Sequence, residues 1–246
     1  MTSGKTVLPA GVSGTTKAER VQSMFGKIVL RYDLMNRVMT FGLDVGWRRA
    51  AIAALAPADA LILDVGTGTG DLALGVSLAG ARRVIGVDFV EGMLRSAHRK
   101  TIAAKQGQRI ELAVGDAMGL PFPDETFDGI INGFLLRNVS DLDGAFREFV
   151  RVLKPGGRLV CLEITHPPRL VASLFGLYFG HFVPLIGSLL TGESHAYRYL
   201  PLSLGPLPNA DQLAKMMEQA GLERVLVRRL GFGTVALHVG SRPTPP

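Results

Sequence analysis

The chain has 246 residues, 47% of them hydrophobic, and a formal net charge of +6. That length suits one α/β domain with additions, and 30 glycines scattered among apolar runs indicate tight turns rather than disorder. The basic balance permits anionic partners such as membrane phospholipid, but no Lys/Arg block forms a nucleic-acid arm, so no nucleic-acid partner is expected. Cys161, the only cysteine, excludes a disulfide framework and a cysteine-based zinc site, and no metal is expected. Residues 1–16, rich in Gly, Ser and Thr and without an apolar signal stretch, read as a mobile tail of a cytoplasmic protein. Residues 17–54 are helical in texture. From residue 60, strands are predicted over 60–65, 83–88, 109–114, 127–132 and 158–164, with helices from about 70, over 91–105, and from Ser140 to Leu153. Ser140 is the predicted cap of the last of these, with Asp141 and Asp143 at its positive end. Lys154-Pro155-Gly156-Gly157 stops it, and Cys161 in the following apolar run reads as a small buried hydrophobe. Asn209 is placed to cap a later helix, and 223–230 with 234–239 form an antiparallel hairpin.

Near-continuous apolar strands separated by helices imply a parallel sheet covered on both faces. In such sheets ligands bind at the carboxyl ends of the strands. There the first strand runs into Asp64-Val65-Gly66-Thr67-Gly68-Thr69-Gly70-Asp71, whose glycines allow a tight turn and close approach. Asp88 ends the second strand, where an acid accepts hydrogen bonds from a ribose diol, and Gly115-Asp116-Ala117 follows the third, where an Asp accepts from an adenine amino group. Asp71 stands where a dinucleotide fingerprint has its third glycine, and a pyrophosphate is poorly served beside Asp64 and Asp71. A sulfonium with an amino-acid tail is well served by those carboxylates, so the expected cofactor is S-adenosylmethionine. The predicted fold is therefore α/β: the Rossmann-like, seven-stranded sheet of class I methyltransferases, as one domain over residues 17–246.

Tyr32-Asp33-Leu34-Met35-Asn36 with Phe41-Gly42 and Trp47, Leu136-Arg137-Asn138-Val139, and Arg151-Val152-Leu153-Lys154-Pro155-Gly156-Gly157 carry a narrower signal. Together with Leu162-Glu163, the Ala196-Tyr197-Arg198-Tyr199-Leu200 run and the closing 235–240 segment, they resemble the ubiquinone/menaquinone biosynthesis C-methyltransferases over about residues 22–240. The resemblance implies methyl transfer to a ring carbon of a prenylated quinol, demethylmenaquinol or a ubiquinone precursor. Such a carbon is nucleophilic only when an adjacent hydroxyl loses its proton. Arg137 would stabilise that phenolate or orient a water, Asn138 would position the water or the quinol oxygen, and Tyr32 and Asn36, four apart, would share a helix face toward the pocket. Among the histidines, His195, beside Tyr197, is placed nearest the acceptor. Family members usually carry His at Asp44, Ser at Thr165, glycine at Leu135, and at Gly133 a serine that touches the cofactor. An O- or N-methyltransferase of another lipophilic molecule and a non-catalytic cofactor-binding partner are the competing readings.

Residues 169–208 form an apolar insertion after the fifth strand, and 170–190 hold no Asp, Glu, Lys or Arg. A membrane span is rejected, because the same sheet resumes after it and Gly176, Gly180, Pro184 and Gly187 interrupt it. The expectation is a helical cover over the acceptor site that opens at the inner face of an anionic membrane, with Gly176-x-x-x-Gly180 as a helix-packing face or homodimer contact.

Overall fold

A computed structural model describes residue 26, residues 29–183 and residues 207–244. The tail over 1–16, most of 17–28 and residues 184–206 lie outside the described residues, and with them His195 and Tyr197.

Short apolar runs bounded by turn residues become strands because helices cover both of their faces. They are β1 (Leu61–Val65), β2 (Arg83–Asp88), β3 (Ile110–Val114), β4 (Phe127–Gly133), β5 (Leu153–Ile164), β6 (Glu223–Leu230) and β7 (Val235–Ser241). They form one sheet of order β3-β2-β1-β4-β5-β7-β6. The first five strands are parallel, and β7 runs antiparallel to both β5 and β6. Strand order reverses between β1 and β4, which opens a crevice at their carboxyl ends. β5 starts at Leu153, earlier than the predicted Arg158. The Pro-Gly-Gly turn is absorbed as an irregularity in the ladder, where pairing jumps from Phe127 with Leu153 to Gly129 with Arg158.

The described helices are α1 (Tyr32–Met39), α2 (Leu43–Leu55), α3 (Asp71–Leu78), α4 (Glu91–Ala103), α5 (Leu142–Val152), α6 (Arg169–Leu177) and α7 (Ala210–Gln219). The cap of α5 is Asp141 rather than Ser140. Asp141 Oδ1 accepts from the Gly144 N–H at 2.9 Å, while the Ser140 hydroxyl turns to Met118 Sδ. A carboxylate both accepts the orphan N–H and meets the helix's positive end, so it outcompetes the neighbouring hydroxyl. At α7 the predicted Asn209 cap forms, reciprocated by the Gln212 side chain.

Two cores sandwich the sheet. Ala145, Phe146, Phe149 and Val152 of α5 recur at helical spacing and are wholly buried with Leu159 and Cys161. Ala51, Ala73 and Val76 cover Ile62, Ile131 and Leu162 on the other face. Burial pushes the Cys161 thiol up to about 12, so it behaves as the inert hydrophobe expected of it. α6 continues into a π-helical turn, Tyr178–Phe182. No described helix is long and apolar enough to cross a membrane. A Cβ added at Gly176 or Gly180 would meet nothing within 4 Å, so no described element packs on that face.

Candidate active site

The Gly-rich turn leaves β1 with Gly66, Gly68 and Gly70 all at positive φ, 69°, 56° and 82°, a region L side chains rarely adopt. Gly66 also has no room: a Cβ would stand 2.7 Å from Leu135 Cδ1. The turn is held by Asp88, whose Oδ2 accepts from the Gly68 N–H at 2.8 Å and whose Oδ1 accepts from the Val90 N–H at 2.9 Å. Burial at this strand end raises the Asp88 carboxyl pKa. Gly66, Asp88, Asp116, Ala117, Leu135 and Asn138 line a cleft here, and no Lys or Arg is among its described lining residues. Asp116 is exposed, with Oδ1 accepting from the Met118 N–H at 3.0 Å. Asn138 Oδ1 is buried with no partner among the described residues.

This acceptor-rich set fits a ligand with hydroxyls, an amino group and a cationic centre, and it does not fit a pyrophosphate. Asp88 and Asp116 would hold the ribose and adenine ends of S-adenosylmethionine. Asp64, Gly68, Thr69, Gly70 and Gly133 do not line the cleft. Asp64 is wholly buried, where its Oδ2 accepts from the Thr67 hydroxyl at 2.7 Å and its Oδ1 has no partner among the described residues. Burial raises its pKa to about 7. Gly70 packs on Ala97, and a Cβ at Gly133 would press on Leu72.

Beside the cleft lies a larger cavity of about 330 Å³, walled by α1, α2, α6, the Leu136–Asn138 turn and the 231–235 turn before β7. Tyr32 and Asn36 both line it, as their spacing on α1 predicts. Arg137 lines it too, clamped from behind by Glu163, which is wholly buried. Arg137 Nη1 donates to Glu163 Oε1 at 2.6 Å, and the Ile164 N–H donates to the same oxygen at 2.9 Å. Arg137 Nε is buried without a partner among the described residues. Asn138, by contrast, faces the cofactor cleft and not this cavity. In a single 3₁₀ turn successive side chains diverge by a third of a rotation, so neighbours line different cavities.

Phe134, at the exit from β4, takes a left-handed backbone (φ 60°) that swings its ring under both the Arg48 and the Arg137 guanidinium, 5.6 and 5.7 Å from the centroid. Arg48 is held by Asp44, a buried carboxylate that also takes Arg37 and the Thr40 hydroxyl. Tyr178, just beyond α6, donates from its hydroxyl to the Met39 carbonyl at 3.0 Å and so latches the start of the insertion over α1. A further set of polar contacts ties α1 to the glycine turn. Lys100 Nζ reaches Asp33 at 2.8 Å and also pairs with Asp71, Arg37 meets Asp71 at 3.3 Å, and the Thr69 hydroxyl donates to Asp33. Thr69 is thus turned toward α1. Lys100 and the other cations hold the Asp71 carboxyl below the usual range, against the opposing effect of its burial.

None of the described histidines lines the cavity. His238 is buried with Nε2 at 2.8 Å from the Ala210 carbonyl, and burial lowers its pKa. His166 and His181 are exposed. Thr165 uses its hydroxyl to accept from the Ala210 N–H at 3.1 Å and so anchors α7. Sequence reasoning did not single out Glu163, Arg48 or Phe134 as site residues. An acid within an otherwise apolar strand was the available signal for Glu163, since such a group must find a partner.

An acid-lined cleft at the carboxyl ends of β1–β4, on a seven-stranded sheet in this order, defines a class I S-adenosylmethionine-dependent methyltransferase. Solved structures share that fold at low identity. A SAM-dependent methyltransferase from Thermotoga maritima superposes with a TM-score of 0.65 at 19% identity, covering 89% of this chain and 99% of that one. The [4+2]-cyclase SpnF does so at 0.70 and 18%, covering 96% and 100%. Residues 13–242 match the ubiE/COQ5 methyltransferase family, and the chain belongs to that family. A protein of Roseiflexus castenholzii named demethylmenaquinone methyltransferase is 45% identical over 230 residues, 91% of this chain and 94% of its own. The chain is accordingly an S-adenosylmethionine-dependent C-methyltransferase.

Proposed function

We propose that the acceptor is a prenylated demethylmenaquinol, methylated on the ring carbon beside a hydroxyl. The observation that carries this is the apolar cavity with the Glu163-clamped Arg137 guanidinium in its wall, next to the acid-lined cleft. S-adenosylmethionine, when bound, supplies an electrophilic methyl group. The chain's part is to make the carbon a nucleophile. Arg137, always charged and desolvated, stabilises the phenolate form of the hydroxyl and thereby lowers its pKa. The hydroxyl proton passes to water and the negative charge delocalises onto the adjacent carbon, which would form the new C–C bond as the donor's S–CH3 bond breaks and then lose its ring proton to water. Glu163 keeps the guanidinium from swinging to other oxygens. Tyr32 and Asn36 position the ring from α1, while Asn138 serves the cofactor side.

The mouth of the cavity also suits a lipid-borne substrate. Phe41 and Phe232 are 79% and 86% exposed at this mouth, and both hold left-handed backbones, φ 52° and 56°. Two bulky residues kept in a costly conformation with their rings in solvent point to a use for those rings. The proposed use is shallow insertion into an anionic leaflet, aided by the chain's net charge of +6. Methylation of vesicle-embedded demethylmenaquinol with labelled cofactor tests both parts. A singly methylated quinone is expected, formed faster on vesicles containing anionic lipid and more slowly by a Phe41→Ser/Phe232→Ser variant. Absence of product on any vesicle or in detergent overturns the acceptor. Equal rates for both proteins on both vesicle types overturn the docking.

A further inference from the structure

The cavity contains one guanidinium more than stabilising a single phenolate requires. Its hydroxyls are mostly spent within the protein: Thr40 donates to the Asn36 carbonyl at 2.7 Å, Tyr178 to Met39 at 3.0 Å, and Thr234 to the Gly231 carbonyl at 2.7 Å. The two arginines are not spent. Arg137 uses Nη1 on Glu163 and leaves Nε unpaired, and Arg48 uses Nη1 on Asp44. A guanidinium carries five N–H donors, so each keeps several. The Arg48 side chain is only 12% exposed, which makes water a poor substitute for a ligand oxygen. Both guanidiniums sit over the ring of Phe134, each with its own carboxylate behind it: Asp44 on α2 for Arg48, Glu163 on β5 for Arg137.

We infer that Arg48 is a specificity-determining residue that binds the second oxygen of the acceptor, across the ring from the one Arg137 holds. The inference rests on the quinol reading above. In a 1,4-diol the two oxygens lie at opposite ends of the ring, so one guanidinium does not serve both. Two guanidiniums, each tied to its own carboxylate and both lining the same cavity, can take one oxygen each. Arg137 takes the oxygen whose charge activates the neighbouring carbon, and Arg48 takes the hydroxyl that keeps its proton. An acceptor lacking the second oxygen would leave a desolvated guanidinium short of a partner, the situation that lets polar sites reject analogues strongly.

The test is a cycle of two substrates and two proteins. The ratio of kcat/KM for a short-chain demethylmenaquinol to that for the matched prenylated 1-naphthol, lacking the distal hydroxyl, is measured for wild type and for Arg48→Ala. Intrinsic reactivity differences cancel between the proteins. The ratio is expected to fall about 10- to 100-fold in the variant, as for a lost hydrogen bond to a charged group. Arg48→Gln, which keeps volume and one neutral donor, should give an intermediate ratio and stands in if the alanine variant does not fold. An unchanged ratio in the folded variant, because both substrates or neither lose rate, overturns the inference. Wild type that methylates neither substrate overturns the quinol reading itself, a separate result.

Discussion

The cofactor cleft and the acceptor cavity meet at the Leu136–Asn138 turn, yet they are built by different means. The cleft uses backbone and strand ends. Gly66 and Gly68 bring the main chain close, Asp88 pins it, and every element belongs to the βα units of the sheet. The cavity joins Phe134 and Arg137 after β4 and Ile164 of β5 to additions around that sheet: α1 and α2 before it, α6 after β5, and the turn before β7. Its charges are each backed by a buried acid, Arg137 by Glu163 and Arg48 by Asp44. SpnF, a cyclase on the same fold, illustrates how little the scaffold alone decides.

Arg137 offers the sharpest way to break this contrast. Arg137→Ala should lower kcat about 100- to 1,000-fold while cofactor affinity, measured by calorimetry, stays near wild type. It should also lower stability by about 3 kcal/mol, because Glu163 is left buried without its counter-charge and keeps only backbone N–H donors. The double variant Arg137→Ala/Glu163→Gln should recover much of that stability and none of the turnover. If turnover returns with stability, Arg137 is a structural pair and no more. Next in size, Gly66→Ala should weaken cofactor binding about tenfold or more, since the new Cβ meets Leu135 at 2.7 Å in addition to the φ penalty. Gly68→Ala, whose Cβ would meet only the Gly66 carbonyl oxygen at 4.0 Å, should show only the backbone cost of about 1–2 kcal/mol. Equal effects at both glycines would mean that the Leu135 contact yields freely.

One further effect, read across pH and not at a single pH, concerns Asp64, beneath the turn. Its folded pKa of about 7 lies above the ordinary value of 3.8, so the folded state favours the protonated acid. Stability from this group is full below about pH 4 and is lost as pH rises through 7. Asp64→Asn lacks that titration. Its stability relative to wild type, read from urea melts, should rise between pH 4 and 7, by less than about 1.4 kcal/mol per unit, and then level off. A difference that does not change with pH would show that Asp64 is ionised throughout.

The same contrast explains what was legible in the sequence. The glycine turn is contiguous, and Asp88 and Asp116 follow strands whose apolar runs are plain, so the cleft's lining could be read directly. Tyr32 and Asn36 were legible through helical spacing. Arg48, Phe134 and Glu163 were not, because their meeting depends on three elements far apart in the chain and on one left-handed residue at the end of β4. Asn138 was read together with Arg137 from the Leu-Arg-Asn-Val segment, and the short turn places the two side chains in the walls of different cavities. Asp64, Thr69, Gly70 and Gly133 belong to the motif's surroundings yet turn away from the cleft, since a tight turn spends several of its residues on holding itself.

Helix α1 has a thermodynamic consequence. It carries Tyr32 and Asn36 into one ligand's cavity and, through Asp33, rests on the Thr69 and Lys100 that brace the other ligand's turn. Any shift of α1 on loading one partner is therefore felt by the turn that cradles the other. Linkage makes that influence mutual: by whatever factor the aromatic diol changes affinity for the methyl donor, the donor changes affinity for the diol by the same factor.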